Sequence, residues 1–557
     1  MLLLPLLVGL AAAAEGDADA LLREELDAAL ATWTARGEAP HHVALALVEH
    51  TVVDLGATAG AVSRDDTRLE RTLDVDLRMG TPTLDSTHTL RGLSLLDDDE
   101  RGLLRVPFAS VGGDTALRLA VRRELDARHR NARERLALLE GERAVLVEEE
   151  DPAPDFTPGA AVRIDAPAQV GALDRAWLGT LVEASRLLDR APEVVESAAT
   201  LRLEHRERVF VDTEGTVVHD GWGDVLLMVR ASVVADDGDT LDVTRIVDVA
   251  RPADLPAPDA VLRLAEEVVD EALALRAAPR AAPYTGPVLL SGRAAAVFLH
   301  EVLGHRAEAD RNKRDDEGKT FLEQLGRPVL PSWVDVVDDP TLPTAHGVRL
   351  RGHYAVDDEG VPAARAVLVE DGVFRGFLMG RSPLSVQAGS NGHGRRSAGN
   401  APAARMGTTI LTAEGGLPPE ALRSRLLAEL RAQGLPHGYV VDEIQGGFTL
   451  TGRVVPNAFN VRASRTWRVH ADGRPDELVR GIDLVGTPLA AFRALLAAGD
   501  TPEVFNGTCG AESGWVPVSA VAPPLLFRRL ELQLKEKDVA RPPLLAKPED
   551  AGREQGT

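Results

Sequence analysis

The chain has 557 residues, of which 44% are hydrophobic and 27% are charged. This composition supports a packed core with a solvated surface, and it excludes a largely disordered or fibrous chain. Asp and Glu outnumber Lys and Arg by 86 to 62, so the formal net charge is −24. Because so acidic a protein repels phosphate backbones, nucleic acid is not expected as a partner. At roughly 100–200 residues per domain, the length predicts two to four domains.

The N-terminus begins with an apolar run, Met1–Leu10, that is too short to anchor the chain in a bilayer. Ala12 and Ala14 precede Glu15 in the pattern of a signal-peptidase site, although no Lys or Arg precedes the apolar run. We therefore expect residues 1–14 to be a signal peptide and the protein to be exported, to the periplasm or outside the cell. If this signal is not used, a cytoplasmic location is expected. No membrane association is expected after cleavage, because no later stretch reaches about 18 uninterrupted apolar residues.

Residues 15–150 are expected to form an N-terminal region of mixed α and β structure. Charged and apolar residues recur at helical spacing from Ala18 to Arg36, and strand-like runs follow between His41 and Arg105. The amphipathic pattern from Asp114 to Val147 predicts a long, mostly exposed helix or a pair of helices. The acidic, proline-containing segment 148–155 then indicates a linker.

Residues 151–284 are interpreted as the second part of the same N-terminal α/β domain. The pattern predicts helices over Val170–Leu188 and Pro256–Arg276. Between them it predicts strands around Val209–Val211 and Val225–Val229. Neither part of this domain contains a residue pattern that indicates chemistry.

Residues 285–537 differ in character, because short alternating strands with turn signals dominate them. Ala366–Phe377, for example, predicts a hairpin around an Asp-Gly turn. We expect a mainly antiparallel, barrel-like β domain, followed by a loose polar tail at 538–557. The fold class is therefore predicted to be α+β, with a mixed α/β domain first and a β-rich domain second.

One helix interrupts the β-rich half early, and it carries a candidate metal site. Ser291 is a suitable N-cap, and the alanines that follow it are strong helix formers. The helix presents His300 and Glu301, and His305 follows five positions after His300. Neutral imidazoles bind zinc and related divalent ions, and a carboxylate beside the metal deprotonates a bound water.

The spacing of the two histidines predicts a break in the helix. Residues four apart are separated by about 40° around a regular helix, whereas residues five apart are separated by about 140°. His300 and His305 are five apart, too far round a regular helix to share one ion. We therefore expect the helix to end, kink or bulge between them, at Gly304.

Two histidines leave a catalytic zinc under-ligated, because such an ion usually takes three protein ligands and a water. The single cysteine of the chain, Cys509, lies in the glycine-flanked stretch Asn506–Gly510. Its thiolate would complete a set of two histidines and one cysteine. The lone cysteine also excludes any intramolecular disulfide.

These motifs resemble the TldD/PmbA metallopeptidase family over about residues 286–534. The family is marked by an H-E-x-x-x-H helix and a late G-x-C-G loop, present here as His300–His305 and Gly507–Gly510. The stretches Glu308–Asp310 and Pro402–Met406 also resemble segments of the family. The resemblance implies zinc-dependent cleavage of unstructured peptides, in a dimer of like or related chains whose cavity excludes folded proteins.

By the same resemblance, His300, His305 and Cys509 are metal ligands and Glu301 is the general base. We expect one zinc ion per chain, with other divalent ions as alternatives because two histidines and a cysteine accept several metals. In this mechanism Glu301 takes a proton from the water on the metal, and the resulting hydroxide attacks a peptide carbonyl.

Four further residues are interpreted as candidate substrate-binding groups, because one nearby donor is needed to stabilise the oxyanion. They are Arg395, Arg396, Tyr354 and His393. An extended peptide is expected to bind as an added strand along an exposed edge of the β-rich half.

The alternative function is a non-catalytic binding or scaffold subunit of a TldD/PmbA-type complex, since the family includes partners that lack the metal motif. The presence of the complete motif in this chain favours the enzyme.

Overall fold

The structure is a computed structural model that describes residues 15–88, 104–105, 113–143, 151–313, 318–450 and 458–535. The predicted signal peptide at 1–14 and the predicted tail at 538–557 lie outside the described residues, as do residues 148–150 of the predicted linker. Within the described residues, no helix combines the length and the apolar character that crossing a membrane requires.

The α-helices of the described part of the chain are α1 (Glu15–Arg36), α2 (Gly113–Arg143), α3 (Trp177–Leu188), α4 (Pro258–Ala277), α5 (Gly292–Val302), α6 (Pro419–Ala432) and α7 (Pro488–Arg493). The predicted helices are confirmed at α1, α2 and α4, and α2 is one long helix. The prediction that α3 begins at Val170 is wrong, because Gly171 takes a φ of 82° that interrupts a helix. Val170 and Leu173 are nevertheless buried, so their apolar spacing reflects a packed loop.

The strands of the N-terminal half are β1 (His42–Thr58), β2 (Ala61–Arg78), β3 (Gly80–Thr81), β4 (Leu84–Asp85), β5 (Leu104–Arg105), β6 (Arg163–Ala166), β7 (Val194–Asp212), β8 (Val217–Val234) and β9 (Thr240–Val249). One sheet has the order β5-β2-β1-β7-β8-β6, with β9 also paired to β8. Because β1 pairs antiparallel with β7, residues on both sides of the predicted linker contribute to one sheet.

The two faces of this sheet have different partners. Alternate residues of β1, such as Val43 and Leu45, face α1 and α2, while α3 and α4 cover the rest of that face. The opposite face carries Ala44, Ala46 and Phe210, which pack against residues of the C-terminal half. Side chains alternate in direction along each strand, so one face of the sheet packs against the helices and the other against the second half of the molecule.

The strands of the C-terminal half are β10 (Tyr284–Leu290), β11 (Val334–Asp338), β12 (Thr344–Ala345), β13 (Val348–Arg349), β14 (Ala366–Glu370), β15 (Val373–Phe374), β16 (Gly394–Arg395), β17 (Ala403–Ala404), β18 (Thr408–Ala413), β19 (His437–Leu450), β20 (Ala458–His470), β21 (Glu477–Val479), β22 (Ile482–Gly486), β23 (Leu495–Ala498), β24 (Glu503–Ala511), β25 (Gly514–Ala522) and β26 (Leu525–Leu534). β10, β19, β20, β22 and β26 pair in that order, and β26 pairs back to β10. The predicted barrel-like domain is confirmed as a closed five-stranded barrel, antiparallel except at β10–β19. The α+β fold class is also confirmed.

A second sheet of the C-terminal half has the order β15-β14-β11-β18-β25-β24, which leaves β24 at its edge. The predicted hairpin around the Asp-Gly turn is confirmed as β14 and β15. Its two turn residues, Asp371 and Gly372, have φ values of 50° and 75°, as a type I′ turn requires.

α5 lies between the barrel and this second sheet, and every residue of it except Arg293 is buried. Phe298, for example, makes edge-to-face contacts with Phe459 and Phe527, with ring centroids 5.3 Å apart in both cases. A helix that is apolar on all sides is expected in such a position between two layers. The packing fixes the end of α5, where the candidate site begins.

Candidate metal centre

The start of α5 is stabilised by two side chains. Ser291 is the N-cap, as predicted, because its Oγ accepts a hydrogen bond from the N–H of Ala294 at 3.1 Å. Glu503 of β24 accepts the N–H of Arg293 at 2.6 Å. Each satisfies an amide that has no partner within the helix.

The helix ends at Val302 and is followed by a short 3₁₀ turn, so the predicted break between His300 and His305 is confirmed. The guanidinium of Arg306 donates hydrogen bonds to the carbonyls of Glu301 at 3.0 Å and Val302 at 3.2 Å. These carbonyls are among those that a helix end leaves without partners. The break therefore has its own cap, and it turns His305 back towards the last turn of α5.

Gly304 is needed at this break for a different reason from the one we expected. Its φ is not positive, so the conformational freedom of glycine is not used. A Cβ at this position would instead overlap the Sδ atom of Met406, which packs against the backbone. Glycine lets Met406 pack this closely, and a residue with a Cβ would require the buried Met406 side chain to move.

The structure brings His300, His305 and Cys509 together as one buried cluster. One ligand atom from each lies within 4.8 Å of the other two. The Sγ of Cys509 is 3.4 Å from Nε2 of His305, and the two imidazole centroids are 5.0 Å apart. Zinc bonds of about 2.0 Å to nitrogen and 2.3 Å to sulfur place the ligands of one ion roughly 3–4 Å apart. The 3.4 Å separation of Cys509 and His305 lies within this range, and the 4.8 Å limit for the whole cluster is slightly wider.

The chemistry of this cluster also fits a metal. Nδ1 of His300 is buried and has no hydrogen-bond partner among the described residues. Buried polar atoms in proteins are normally paired, so this nitrogen is available to a ligand. Two imidazoles and a thiolate are a donor set that zinc and other divalent transition ions accept.

Glu308 orients one of the candidate ligands. Its fully buried carboxylate accepts a hydrogen bond from Nδ1 of His305 at 3.0 Å and another from Nε of Arg311 at 2.9 Å. A carboxylate on the far nitrogen of a ligating histidine fixes the tautomer and aims the other nitrogen at the metal. Here that other nitrogen, Nε2, faces Cys509.

The charges of the cluster favour a thiolate at Cys509 and a protonated His305, whose proton a bound metal ion would displace. Burial alone would lower the pKa of His305, but the carboxylate of Glu308 and the thiolate of Cys509 raise it to about 10. Burial alone would raise the pKa of Cys509, but His305 and His300 hold it well below its usual value. Burial alone would also raise the pKa of Glu308, but the positive charges of His305 and Arg311 lower it. The sulfur is therefore held as thiolate, the ligand form.

Arg405 connects the two chain segments that carry the ligands. It is fully buried, and its Nε lies 3.3 Å from Oε1 of Glu308. Its Nη2 donates to the carbonyl of Cys509 at 2.9 Å, and its Nη1 donates to Oγ of Ser513 at 2.8 Å. One guanidinium thus joins the carboxylate behind His305 to the backbone of Cys509.

The cluster opens into a cavity of about 1160 Å³ between the two halves of the molecule. β8 and β9 of the N-terminal sheet form one wall, and α5, β19, β24 and β25 form the other. Glu301 lines this cavity together with the three candidate ligands. Gly447 of β19 packs against it, since a Cβ there would lie 2.9 Å from Cγ of Glu301.

Large apolar side chains are exposed on the cavity walls. Ile246 is 53% exposed, Phe448 45% and Trp515 69%. The Trp515 ring lies over Gly510, next to Cys509, where a Cβ would come within 2.8 Å of it. Exposed apolar surface of this kind is typical of a ligand-binding groove.

Two of the four predicted substrate-binding residues, Arg395 and Tyr354, do not line this cavity. The guanidinium of Arg395 donates to the carbonyls of Met406 at 2.6 Å and Pro517 at 2.7 Å, and it lies 4.7 Å from the centre of the Tyr354 ring. The Tyr354 hydroxyl donates to the carbonyl of Gly392 at 2.9 Å. Both side chains hold loops together.

The other two, His393 and Arg396, also lie away from the cavity lining. Nε2 of His393 is 3.2 Å from a carboxylate oxygen of Asp338, and both residues are fully buried. Arg396 forms an ion pair with Asp74 of β2 at 3.1 Å. The structure therefore does not bring any of the four to the metal cluster, and their role in substrate binding stays a prediction.

A buried cluster of two histidines and a cysteine, with a carboxylate beside it in a large cavity, is typical of metal-dependent hydrolases. Residues 283–533 match the family description "PmbA/TldA metallopeptidase C-terminal domain". The C-terminal part of the chain is therefore similar to the PmbA/TldD metallopeptidases over these residues.

Named relatives agree with this assignment. The chain is 32% identical over 242 residues to a "Metalloprotease" of Archaeoglobus fulgidus, covering 43% of this chain and 51% of the relative. It is 23% identical over 256 residues to a "Zinc metalloprotease TldD homolog" of Saccharolobus solfataricus, covering 46% and 52%. The chain thus spans about half the length of the curated relatives it matches. The crystal structure of TldE from Thermococcus kodakarensis has the same fold, with a TM-score of 0.59 at 14% identity over 91% of this chain and 100% of that one.

Proposed function

We propose that this protein is a zinc-dependent peptidase that cleaves unstructured peptides, with Glu301 as the general base. The observation that carries the proposal is the buried cluster of His300, His305 and Cys509, which opens beside Glu301 into a cavity of about 1160 Å³. The relatives named as metalloproteases, one of them as a zinc enzyme, support the reaction class and the metal.

The free carboxylate of Glu301 supports its proposed role. Its side chain has no hydrogen-bond or ion-pair partner among the described residues. Other cavity carboxylates are paired, for example Glu443 with Arg245 at 3.0 Å and Glu512 with Arg311 at 3.2 Å. A base that is not committed to a guanidinium is available to accept a proton.

In the proposed mechanism His300, His305 and Cys509 hold the ion, and zinc there would supply Lewis-acid polarisation of the peptide carbonyl and a lowered pKa of water. Glu301 accepts the proton of the attacking water and then delivers it to the leaving amine. Glu308 keeps His305 in the tautomer that ligation requires.

The edge position of β24 supports an extended peptide as the substrate. The outer edge of this strand has no strand partner among the described residues, and residues 504–512 line the cavity. A peptide added beside β24 would be held by main-chain hydrogen bonds, which tolerate many side chains. Cys509 lies on this strand, so the added peptide would pass the proposed metal.

The proposal is tested by incubating the zinc-loaded protein with a mixture of short unstructured peptides and following cleavage by mass spectrometry. Wild type should cleave, and Glu301→Gln should lower kcat by about 10²–10⁴-fold with the zinc content unchanged. Glu443→Gln is the matched control, because this cavity carboxylate is already paired with Arg245. Equal cleavage by Glu301→Gln would contradict the mechanism. An absence of both metal and cleavage in wild type would favour the non-catalytic partner subunit.

We further propose a dimer with a like or related chain, which rests on the family resemblance alone. Export is proposed from the sequence of residues 1–14 alone. The mass of the purified protein in solution tests the first proposal. The N-terminal residue of the protein recovered from each cell fraction tests the second, with a start near Glu15 expected after export.

A further inference from the structure

Most charged side chains on the cavity walls are paired. The ion pairs that involve cavity-lining residues include Arg230–Asp242, Arg245–Glu443, Arg465–Glu271, Arg349–Asp248, Arg351–Asp224 and Arg311–Glu512. Apart from the two histidines of the metal cluster, only Glu301 and Arg293 line the cavity with a charged side chain that has no such partner in the described part of the chain. Glu301 already has a proposed role, whereas Arg293 has none.

Arg293 lies on the same face of α5 as the candidate metal ligand His300. The two are seven residues apart, which is about 700° of rotation, or 20° short of two full turns. Val297, between them, also lines the cavity. At 1.5 Å per residue the two Cα atoms are about 10 Å apart along the helix axis, the length of about three residues of an extended peptide.

The local structure does not explain an arginine at this position. Arg293 lies in the first turn of α5, where the helix dipole disfavours a cation. The nearby carboxylate of Glu503 is turned to the backbone N–H of Arg293, at 2.6 Å, and Glu503 does not line the cavity. Arg293 is exposed and lines the cavity, and the five donors of its guanidinium have no hydrogen-bond partner in the described part of the chain.

We propose that Arg293 is a specificity-determining residue that binds a carboxylate of the substrate peptide, about three residues from the bond that is cut. A guanidinium binds a carboxylate through two parallel hydrogen bonds, which adds direction to the attraction between the charges. The carboxylate is either the C-terminus of the peptide or an Asp or Glu side chain. The inference rests on the proposed peptidase function, since it names the class of peptide that the same cavity prefers.

The test measures peptide binding in the absence of cleavage. Fluorescein-labelled unstructured peptides are titrated with the zinc-loaded, full-length Glu301→Gln protein, and binding is followed by fluorescence anisotropy. Peptides with a free and an amidated C-terminus form one pair, and peptides with Glu or Gln at each successive position form the others. The first pair detects binding of a terminal carboxylate, and the Glu/Gln pairs detect binding of a side-chain carboxylate.

We expect one of these carboxylates to tighten binding by about three- to tenfold in the Glu301→Gln protein. Adding Arg293→Gln should bring the ratio of the two dissociation constants in that peptide pair close to one. Adding Arg293→Glu should reverse the preference, so that a peptide with Lys at the acidic position binds more tightly than the peptide with Glu. Arg425→Gln is the matched control, because Arg425 is an exposed arginine on α6 that does not line the cavity. It should leave the ratio unchanged.

The inference is overturned if both Arg293 variants prefer the carboxylate as strongly as the Glu301→Gln protein does. It is also overturned if the Glu301→Gln protein itself shows no preference for a carboxylate. Cleavage by the wild-type protein separates this failure from failure of the proposed function. If wild type cleaves peptides and the Arg293 variants keep the same preference, only the inference fails. If wild type cleaves nothing but the preference still depends on Arg293, the site binds acidic peptides without hydrolysing them.

Discussion

Two buried polar clusters of this protein are organised for different ends. The first is the metal cluster, formed by His300, His305 and Cys509. The second is the interdomain cluster, in which Arg208 and Arg396 join the N-terminal sheet and the C-terminal half. Both bring together residues that are far apart in the sequence, and both are almost completely shielded from solvent. They differ in whether their buried polar groups have hydrogen-bond or ion-pair partners.

In the interdomain cluster each guanidinium has its carboxylate. Arg208 binds Asp220 through two hydrogen bonds of 2.8 and 2.7 Å and Asp358 through one of 2.9 Å. Arg396 pairs with Asp74. These groups compensate one another's desolvation, as buried charges must, and they leave nothing for a ligand.

In the metal cluster one nitrogen, Nδ1 of His300, has no hydrogen-bond partner among the described residues, and the cluster opens to a cavity. The comparison indicates that a buried donor set with an unpaired nitrogen, lining a cavity, is organised for chemistry. A fully paired cluster is organised for stability. Variants of Arg396 and Glu308 test this division.

The largest effect on stability is expected from Arg396→Met. Removing the guanidinium leaves Asp74 buried without its counter-charge, which costs about 3–5 kcal/mol of folding free energy. Thermal and urea unfolding of the full-length protein measure the loss, and Asp74→Asn in the same chain should recover part of it. The zinc content and the KM for peptides should not change. A raised KM with unchanged stability would instead make Arg396 a substrate contact.

A smaller effect, on metal affinity, is expected from Glu308→Gln. The amide keeps the shape of the carboxylate but removes the charge that orients His305, so zinc affinity should fall by about 10–100-fold. Competition with a chromogenic chelator measures the affinity. Glu512→Gln is the control, since Glu512 also pairs with Arg311 but does not touch a ligand. Equal affinity for wild type and Glu308→Gln would show that the buried carboxylate serves the fold alone.

The smallest effect concerns His42, a buried histidine at the start of β1. Burial lowers its pKa to about 3, whereas an unfolded histidine takes up a proton near pH 6.5. Between these values the unfolded state binds more protons, so stability falls as pH falls, by at most about 1.4 kcal/mol per unit. Urea unfolding at pH 7 and pH 5 should show a smaller loss in His42→Gln than in wild type. The same loss in both proteins would mean that His42 does not stay neutral.

The sequence was sufficient to predict which residues form the buried cluster, because their signals are local or rare. His300, Glu301 and His305 lie within six residues, and Cys509 is the single cysteine of the chain. The break in α5 followed from helix geometry alone. Its cause did not, because the contact between Gly304 and Met406 joins residues about one hundred positions apart.

Long-range pairing limited the rest of the prediction. The barrel closes through β10 and β26, whose residues are more than two hundred positions apart, so local periodicity cannot indicate closure. The sequence does not show that Arg395 and Arg396 are buried, because a pair of charged residues carries no signal of burial. For the same reason Arg293 and Trp515 carry no signal until the cavity is seen. The sequence places Glu308 in a segment that resembles the family, but only its hydrogen bond with His305 indicates its role.

The central claim is that His300, His305 and Cys509 hold one metal ion, and elemental analysis of the purified full-length protein tests it most directly. Wild type, Cys509→Ser and His305→Ala are compared after zinc is supplied, with His353→Ala as an exposed-histidine control outside the cluster. We expect about one zinc per chain in wild type and the control and almost none in the two cluster variants. No zinc in wild type, or full occupancy in both cluster variants, would contradict the claim.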